Sequence, residues 1–466
     1  MKTKKSSREF IFNSYSQRKI ALKFCYQGWA YNGLAAQSKP TPLPTVEETL
    51  FEALSKSKLI DPTKSFDGCD WSRCGRTDKG VSSSGQVIAL WVRSNFTVKN
   101  KPSTISSFRP PTLERPLKFT NDQMNLLNNS DDSQLKDKII NEAREKLNKS
   151  LDNDENIQEL NYIQILNSIL PSTIRILAWS PVHTTFDARF DCLERHYKYF
   201  FNVHSSPFGP GLNLDLVKKA LEKLKGEHDF RNFCKIDGSK QIKNFKRSIN
   251  DVWVDDPHTS ENDSNLHVVN IRGSAFLYHQ VRCLMAIVFL IGSEKEPLTI
   301  IEDLMRVSKS ENENDSDLPI IESKPNYELA NDLPLCLYDC IFPSNKVNWR
   351  TSPDNIDIND NDEQIHRTST AKSLLNQLFE LDLQSSILKC HLKQLEPINQ
   401  FPNNDKLNAV PIGANNFITS SKYVPLLQRP RGEKAEVINE RWRNSDKGKR
   451  KLNKQDNGND DDEMSE

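Results

Sequence analysis

The chain holds 466 residues, 36% hydrophobic and 27% charged, with a net charge of +0. That length accommodates two or three folded units, and the low apolar share assigns part of it to unfolded segments. The longest apolar run, Cys283–Ile291, is too short to cross a bilayer, and the polar, lysine-rich Met1–Phe10 lacks the apolar core of a secretory leader.

Residues 1–17 read as an unfolded start, and the first folded unit as 18–120. Ile20, Leu22, Phe24 and Tyr26 alternate, which predicts a strand. After the turn Pro40–Pro44, Thr45 and Glu48 fit a capping box, and Val46, Leu50 and Leu54 mark one face of a helix. Val87–Val92 is a continuous apolar run and predicts a buried strand. Residues 121–159, rich in Asn, Asp, Lys and Ser, read as a low-complexity, disordered insertion with a transient helix near Leu135–Leu147.

A second unit spans 160–345. It opens with a short helix at Tyr162–Leu170 and a strand at Ile174–Trp179. Strands are predicted at His196–Val203, Ile249–Val254 and Leu266–Ile271, a helix face at Leu216, Ala220, Leu221 and Leu224, and an apolar helix at Phe276–Ile291. Strand, helix, strands, helix is an α+β order. Beyond it lie an acidic linker (346–369), a helical extension (370–443) and a disordered charged tail (444–466). In the extension, Leu374, Leu378, Leu381, Leu388, Leu392 and Leu395 predict one long or broken amphipathic helix.

The nine cysteines form no CxxC pair, and Cys336 and Cys340 have no matching second pair or nearby His cluster. They read as reduced thiols, with neither a zinc site nor a disulfide framework. Zero net charge leaves a nucleic-acid partner open, because acidic tails can offset a basic cleft.

Three clusters could carry chemistry. In Arg73–Val81, Asp78 sits among Arg73, Arg76 and Lys79, and Gly75 and Gly80 allow a tight turn and close approach of a ligand. Nearby cations would keep the carboxylate ionised, which suits a nucleophile or general base. Residue types alone favour a surface ion-paired turn, since surface charge clusters are common. A phosphate-binding P-loop is excluded, since Val81 stands where that motif needs Lys. The second cluster, Phe186-Asp187-Ala188-Arg189-Phe190 followed by Arg195-His196-Tyr197-Lys198-Tyr199, interleaves cations and aromatics, as phosphate holding and base stacking require. A plain strand with core aromatics fits it too. The third, Gly273–Arg282, ends with Arg282 opening an apolar helix. That charge needs a partner, and Asp78 is a candidate. His279 reads as a structural histidine.

Together these clusters resemble the tRNA pseudouridine synthase A superfamily. Gly75-Arg76-Thr77-Asp78 with Gly80, Val81, Gly85 and Gln86 is similar to its active-site motif. Ala188-Arg189-Phe190 through Arg195, Tyr197 and Tyr199 is similar to its second motif, and Ala275-Phe276, His279, Val281 and Arg282 to its third. The finer resemblance is to the eukaryotic branch acting at tRNA positions 38 and 39. It rests on Leu22–Ala35, Pro40–Glu47, Lys79 after the aspartate, Phe276–Cys283 and Tyr423–Leu427. Ser82 stands where bacterial members usually carry His, which fits that branch.

The resemblance implies two α/β subdomains around a continuous antiparallel-rich mixed sheet, with a basic catalytic cleft between them. It implies Asp78 as catalytic residue, Arg282 as its ion-pair partner and Tyr197 stacked on the target base. Arg76 would help to displace that base, with Arg73, Lys79, Arg189 and Arg195 on the RNA. The expected reaction, an isomerisation of uridine, needs no cofactor and no metal. Expected partners are tRNA and, by resemblance to bacterial dimers, a second copy; no membrane is expected. Nucleus and cytoplasm are the expected compartments, Lys447–Lys451 being a nuclear-import candidate. The same chemistry at other tRNA or small nuclear RNA sites, and a tRNA-binding folding factor, stay open as alternatives.

Overall fold

The computed structural model describes residues 10–101, 105–130, 132–152, 158–203, 211–257, 266–308, 318–352, 360–395, 408–414, 416–420 and 422–456. Of the segments expected to be unfolded, 1–17, 121–159 and 444–466, residues 1–9, 131, 153–157 and 457–466 lie outside them, as do residues 353–359 of the acidic linker.

The first unit begins with β1 (Gln17–Tyr26) and α1 (Val46–Lys56). The capping box is present: Thr45 Oγ1 accepts from Glu48 N at 3.2 Å, and Thr45 N donates to Glu48 Oε2 at 2.9 Å. Then follow the two-residue β2 (Ser72–Arg73) and β3 (Ser82–Arg93). Val87 to Val92 is buried throughout, as a strand covered on both faces must be. Helices α2 (Asn121–Asn129) and α3 (Ser133–Asp152) occupy the region read as a disordered insertion. Thr120 and Gln123 form a capping box for α2, a start signal that composition alone hides.

The second unit runs α4 (Tyr162–Asn167), β4 (Ile174–Pro181), β5 (Glu194–Phe201), α5 (Leu214–Glu222), β6 (Gly226–Asp229), β7 (Lys246–Asp255) and β8 (His267–Gly273). Next come α6 (Gln280–Gly292), α7 (Ile300–Met305) and β9 (Leu335–Ile341). The helix expected from Phe276 begins at Gln280, because His279 takes a left-handed conformation, φ 61°. Nearly all of α6 is buried, so it is the apolar spine of this half.

Among the described residues, nine strands form one mixed sheet, in the order β4-β1-β3-β9-β5-β8-β7-β6 with β2 paired to β3. The class is therefore α+β. Pairing is antiparallel except between β3 and β9, which meet in parallel at Ser82↔Cys336 and Ser83↔Leu337. One apolar cluster packs α1 and α4 on β1, β3 and β4. Another packs α5 and α6 on β5, β7 and β8. A third, including Cys74, Val87, Phe186 and Leu337, lies at the join.

Glu159, the last residue of the expected insertion, belongs to the core. Arg18 Nη1 donates to its Oε2 at 3.0 Å, Ser94 Oγ to the same oxygen at 2.7 Å, and Asn95 N to Oε1 at 2.9 Å.

In the extension, α8 (Asp360–Leu395) is a single helix that already begins within the expected linker. The hairpin β10 (Asn408–Gly413) and β11 (Asn416–Ser420) interrupts the expected helical stretch before α9 (Ala435–Asn444). The start of the expected tail is helical, α10 (Asp446–Asp456).

Candidate active site

Asp78 lies on the loop that leads into β3, where β3 meets β9. The loop is fixed from several sides. Tyr26 OH and Thr77 Oγ1 are 2.7 Å apart, Gln86 Nε2 donates to Gly75 O at 2.9 Å, and Leu34 N donates to Thr77 O at 3.2 Å. Gly80 has φ +83°, and a Cβ there would collide with the Asp332 carboxylate, so only glycine closes this turn.

Burial pushes the Asp78 carboxyl up to about 6, against Arg282 and Lys235 and with help from the Asp332 carboxylate. This corrects the expectation that neighbouring cations set its state: desolvation is the larger effect. At pH 7 the group is still mainly ionised, yet poised close to protonation.

The nearest cationic-type group is His279, whose Nε2 lies 3.4 Å from Asp78 Oδ2. Burial, then Arg282, Lys235 and Lys324, push that imidazole down to about 4, so it is neutral at physiological pH. A left-handed residue before an apolar helix cannot be read from the sequence, and neither can this contact.

Arg282 is held differently from the direct pair expected. Its Nε donates to Ala330 O at 2.7 Å, and Ala330 N returns a bond to Arg282 O at 3.2 Å. Its charge still acts on Asp78, as the chief influence opposing burial. Tyr197 stands edge-on to Phe276, ring centres 5.0 Å apart at 79°. Burial first, and lesser charges including Asp78, push its phenol upward, so it stays neutral.

The other cations divide into two groups. Arg73 pairs with buried Glu47 at 2.6 Å. Arg195 is buried and donates to four backbone carbonyls: Cys192 O at 3.1 Å, Ser274 O at 2.6 Å, Cys74 O at 3.0 Å and Arg189 O at 2.7 Å. It therefore ties all three motifs together from within, a role that corrects the expected contact with RNA.

Arg76 and Lys79 are exposed. Lys240, on the loop under α9, has its ammonium pushed down by burial and then by Arg76, Lys451 and Arg189. These four form a cationic group beside the Asp78 loop, with Asp237 the acidic counterweight near Arg76 and Lys240. Sequence reading missed Lys240, which no motif marks. Lys79 lines a cavity of about 200 Å³ with Trp29, Tyr31, Gly80, Asp332 and Leu333.

All nine cysteines are free thiols. Among the described residues no cluster of His, Cys, Asp or Glu could hold a metal ion, and no helix is long and apolar enough to cross a membrane.

The family described as tRNA pseudouridine synthase matches residues 220–343. The tRNA pseudouridine(38/39) synthase of Saccharomyces cerevisiae is 36% identical over 97% of this chain and 83% of its own length. The proteins of that name from Mus musculus and Homo sapiens are 38% and 37% identical over 73% and 74% of the chain. The chain spans 59% of the length of each of these two.

Proposed function

Because the chain belongs to the tRNA pseudouridine synthase family, we propose that it isomerises uridine to pseudouridine at positions 38 and 39 of the tRNA anticodon stem-loop, with Asp78 as the catalytic carboxylate. The observation that carries the residue assignment is Asp78 itself. It is a mostly buried carboxylate on a rigid loop, mainly ionised at neutral pH, with the charge of Arg282 directed at it.

In this reading the two apolar clusters are the cores of two halves, and the cleft runs along the join of β3 and β9. Arg76, Arg189, Lys240 and Lys451 line its rim and hold phosphates, the sequence-independent part of RNA binding. The target uridine leaves the stacked stem to reach Asp78. Tyr197, held by Phe276, meets the flipped base.

The reaction breaks N1–C1′, turns the uracil and joins C5 to C1′; the C5 proton is lost and N1 gains one, so no atom is gained or lost overall. The ionised Asp78 either attacks C1′ or takes the C2′ proton and returns it; both routes need the carboxylate charged. Arg282, anchored on Ala330 O, is a positioning residue that favours that charged form.

The deciding experiment incubates the purified chain with an unmodified tRNA transcript, beside Asp78→Asn, and maps pseudouridine by carbodiimide-blocked primer extension. Signal at 38 or 39 from the wild type alone is expected. Signal elsewhere overturns the target, and equal signal from Asp78→Asn overturns the residue.

A further inference from the structure

The cavity of about 200 Å³ beside the Asp78 loop is lined by Trp29, Tyr31, Lys79, Gly80, Asp332 and Leu333. It is smaller than the roughly 300–1,000 Å³ of sites for drug-sized ligands, and suits one planar ring. Its walls are well anchored. After β1 comes a single helical turn, Gly28–Ala30. Gly28 lies so close to Val81 that a Cβ there would strike the Val81 carbonyl, and Gly28 N donates to Ser82 Oγ at 3.0 Å. Trp29 is thereby carried on a segment pressed against the Asp78 loop, yet it is 51% exposed. Tyr31 is buried, its hydroxyl 2.6 Å from Thr173 Oγ1. Asp332 sits in the turn before β9, which is closed by Leu333 N on Asn331 Oδ1 at 2.9 Å and Leu335 N on Asp332 O at 3.0 Å.

Three polar groups around this space are idle. Among the described residues, nothing donates to the Asp332 carboxylate, and nothing accepts from the Lys79 ammonium or from Trp29 Nε1. An open indole face, a cation and a carboxylate around a one-ring space complement the three parts of a nucleotide: a ring to stack, a phosphate and an amino group.

We propose that this cavity holds the base of a nucleotide adjoining the target uridine, unstacked together with it, and that this base carries an exocyclic amino group. The proposal rests on the reading of the chain as an enzyme acting on tRNA. Lys79 directly follows Asp78, so a uridine at Asp78 brings its own chain neighbour to the cavity. Trp29 stacks on that neighbour. Asp332 accepts from the amino group of adenine, guanine or cytosine; uracil would set carbonyl oxygens against the carboxylate. Lys79 holds the phosphate between the two nucleotides. Seating the neighbour fixes which uridine arrives at Asp78, so Trp29 and Asp332 determine specificity.

The test measures kcat/KM on tRNA transcripts that keep the target uridine, with circular dichroism confirming that each variant is folded. Trp29→Ala should lose about tenfold or more, and Trp29→Phe should retain most of the rate. With an abasic nucleotide on the 5′ or on the 3′ side of the target, one of the two substrates should bring wild type and Trp29→Ala to the same rate. A Trp29→Ala loss that is undiminished on both abasic substrates overturns the proposal. Exchanging the amino group of that neighbour for a carbonyl should cost the wild type about tenfold, and Asp332→Asn, whose amide donates, should reverse the preference. An unreversed preference overturns the role of Asp332. If the wild type makes no pseudouridine, the reading of the function fails instead, and binding decides for the cavity. Transfer RNA should then quench the indole fluorescence of the wild type more than that of Trp29→Phe, and equal quenching overturns the cavity as a base site.

Discussion

Nε2 of His279 lies 3.4 Å from Oδ2 of Asp78, and burial moves the two groups in opposite directions, the acid up to about 6 and the base down to about 4. Each is driven toward its neutral form, so each carries a stability term of opposite sign in pH. The raised carboxyl binds its proton more tightly when folded, so its contribution is lost as pH rises from about 3.8 to about 6. The depressed imidazole does the reverse, and its contribution is lost as pH falls from 6.5 toward about 4. In the wild type the two offset each other. Relative to it, Asp78→Asn should gain stability as pH rises from 4 to 7, and His279→Gln should gain as pH falls, each by on the order of 2 kcal/mol. Urea denaturation at several pH values reads this out. Parallel slopes for the two variants would refute it.

Activity that needs the ionised Asp78 falls below pH about 6. Arg282→Ala removes the main influence opposing burial, so the acid limb of the rate profile should move to higher pH and part of the lost rate return in alkaline buffer. An unmoved limb with a uniformly lower rate would assign Arg282 to its Ala330 bond alone.

Arg195 and Arg76 separate stability from binding. Arg195→Lys cannot serve four carbonyls with one ammonium and should lose about 2–4 kcal/mol of stability, with KM for tRNA little changed. Arg76→Gln should do the opposite, raising KM at unchanged melting temperature. The assignment fails if the two phenotypes are exchanged.

Binding of tRNA should weaken steeply with salt. Replacing Arg76, Arg189 or Lys240 by Gln should each lower the slope of log affinity against log salt by about one. Filter binding across a salt series is enough; an unchanged slope removes that side chain from the phosphate surface.

The buried pair of Arg18 and Glu159 bears on how much of the insertion is dispensable. Glu159→Ala removes the carboxylate from the buried Arg18 guanidinium and should cost about 3–5 kcal/mol, measured by denaturant unfolding. A loss below 1 kcal/mol would show that solvent reaches Arg18.

The sequence is most legible where a signal is local. Thr45 and Glu48 announce α1 within four residues, and the apolar run Val87–Val92 announces β3. Asp78, Arg282 and Tyr197 are marked by their motifs, and the structure brings all three to one place. What stays hidden depends on distant partners. Glu159 reads as one more acid in a polar stretch until Arg18 reaches it from 141 residues away. In Leu335–Ile341 the alternation begun by Leu335 and Leu337 breaks at Asp339, so the run does not announce a central strand. Arg73 and Arg195 look like every other cation near the motifs, because sequence does not reveal that Glu47 and four carbonyls already occupy them. Periodicity located the leucines of α8, but it does not say whether a helix is covered.

The single parallel contact of β3 with β9 dictates an order of assembly. Without β9 the sheet falls into two pieces, β4-β1-β3 and β5-β8-β7-β6, with no described strand bridging them. On the ribosome both pieces emerge with exposed inner edges, and they wait more than a hundred residues past β5 for the strand that joins them. The loop bearing Asp78 leads into one of those unfinished edges. A nascent chain that stops before Leu335 therefore lacks the strand that joins the two pieces beside the Asp78 loop.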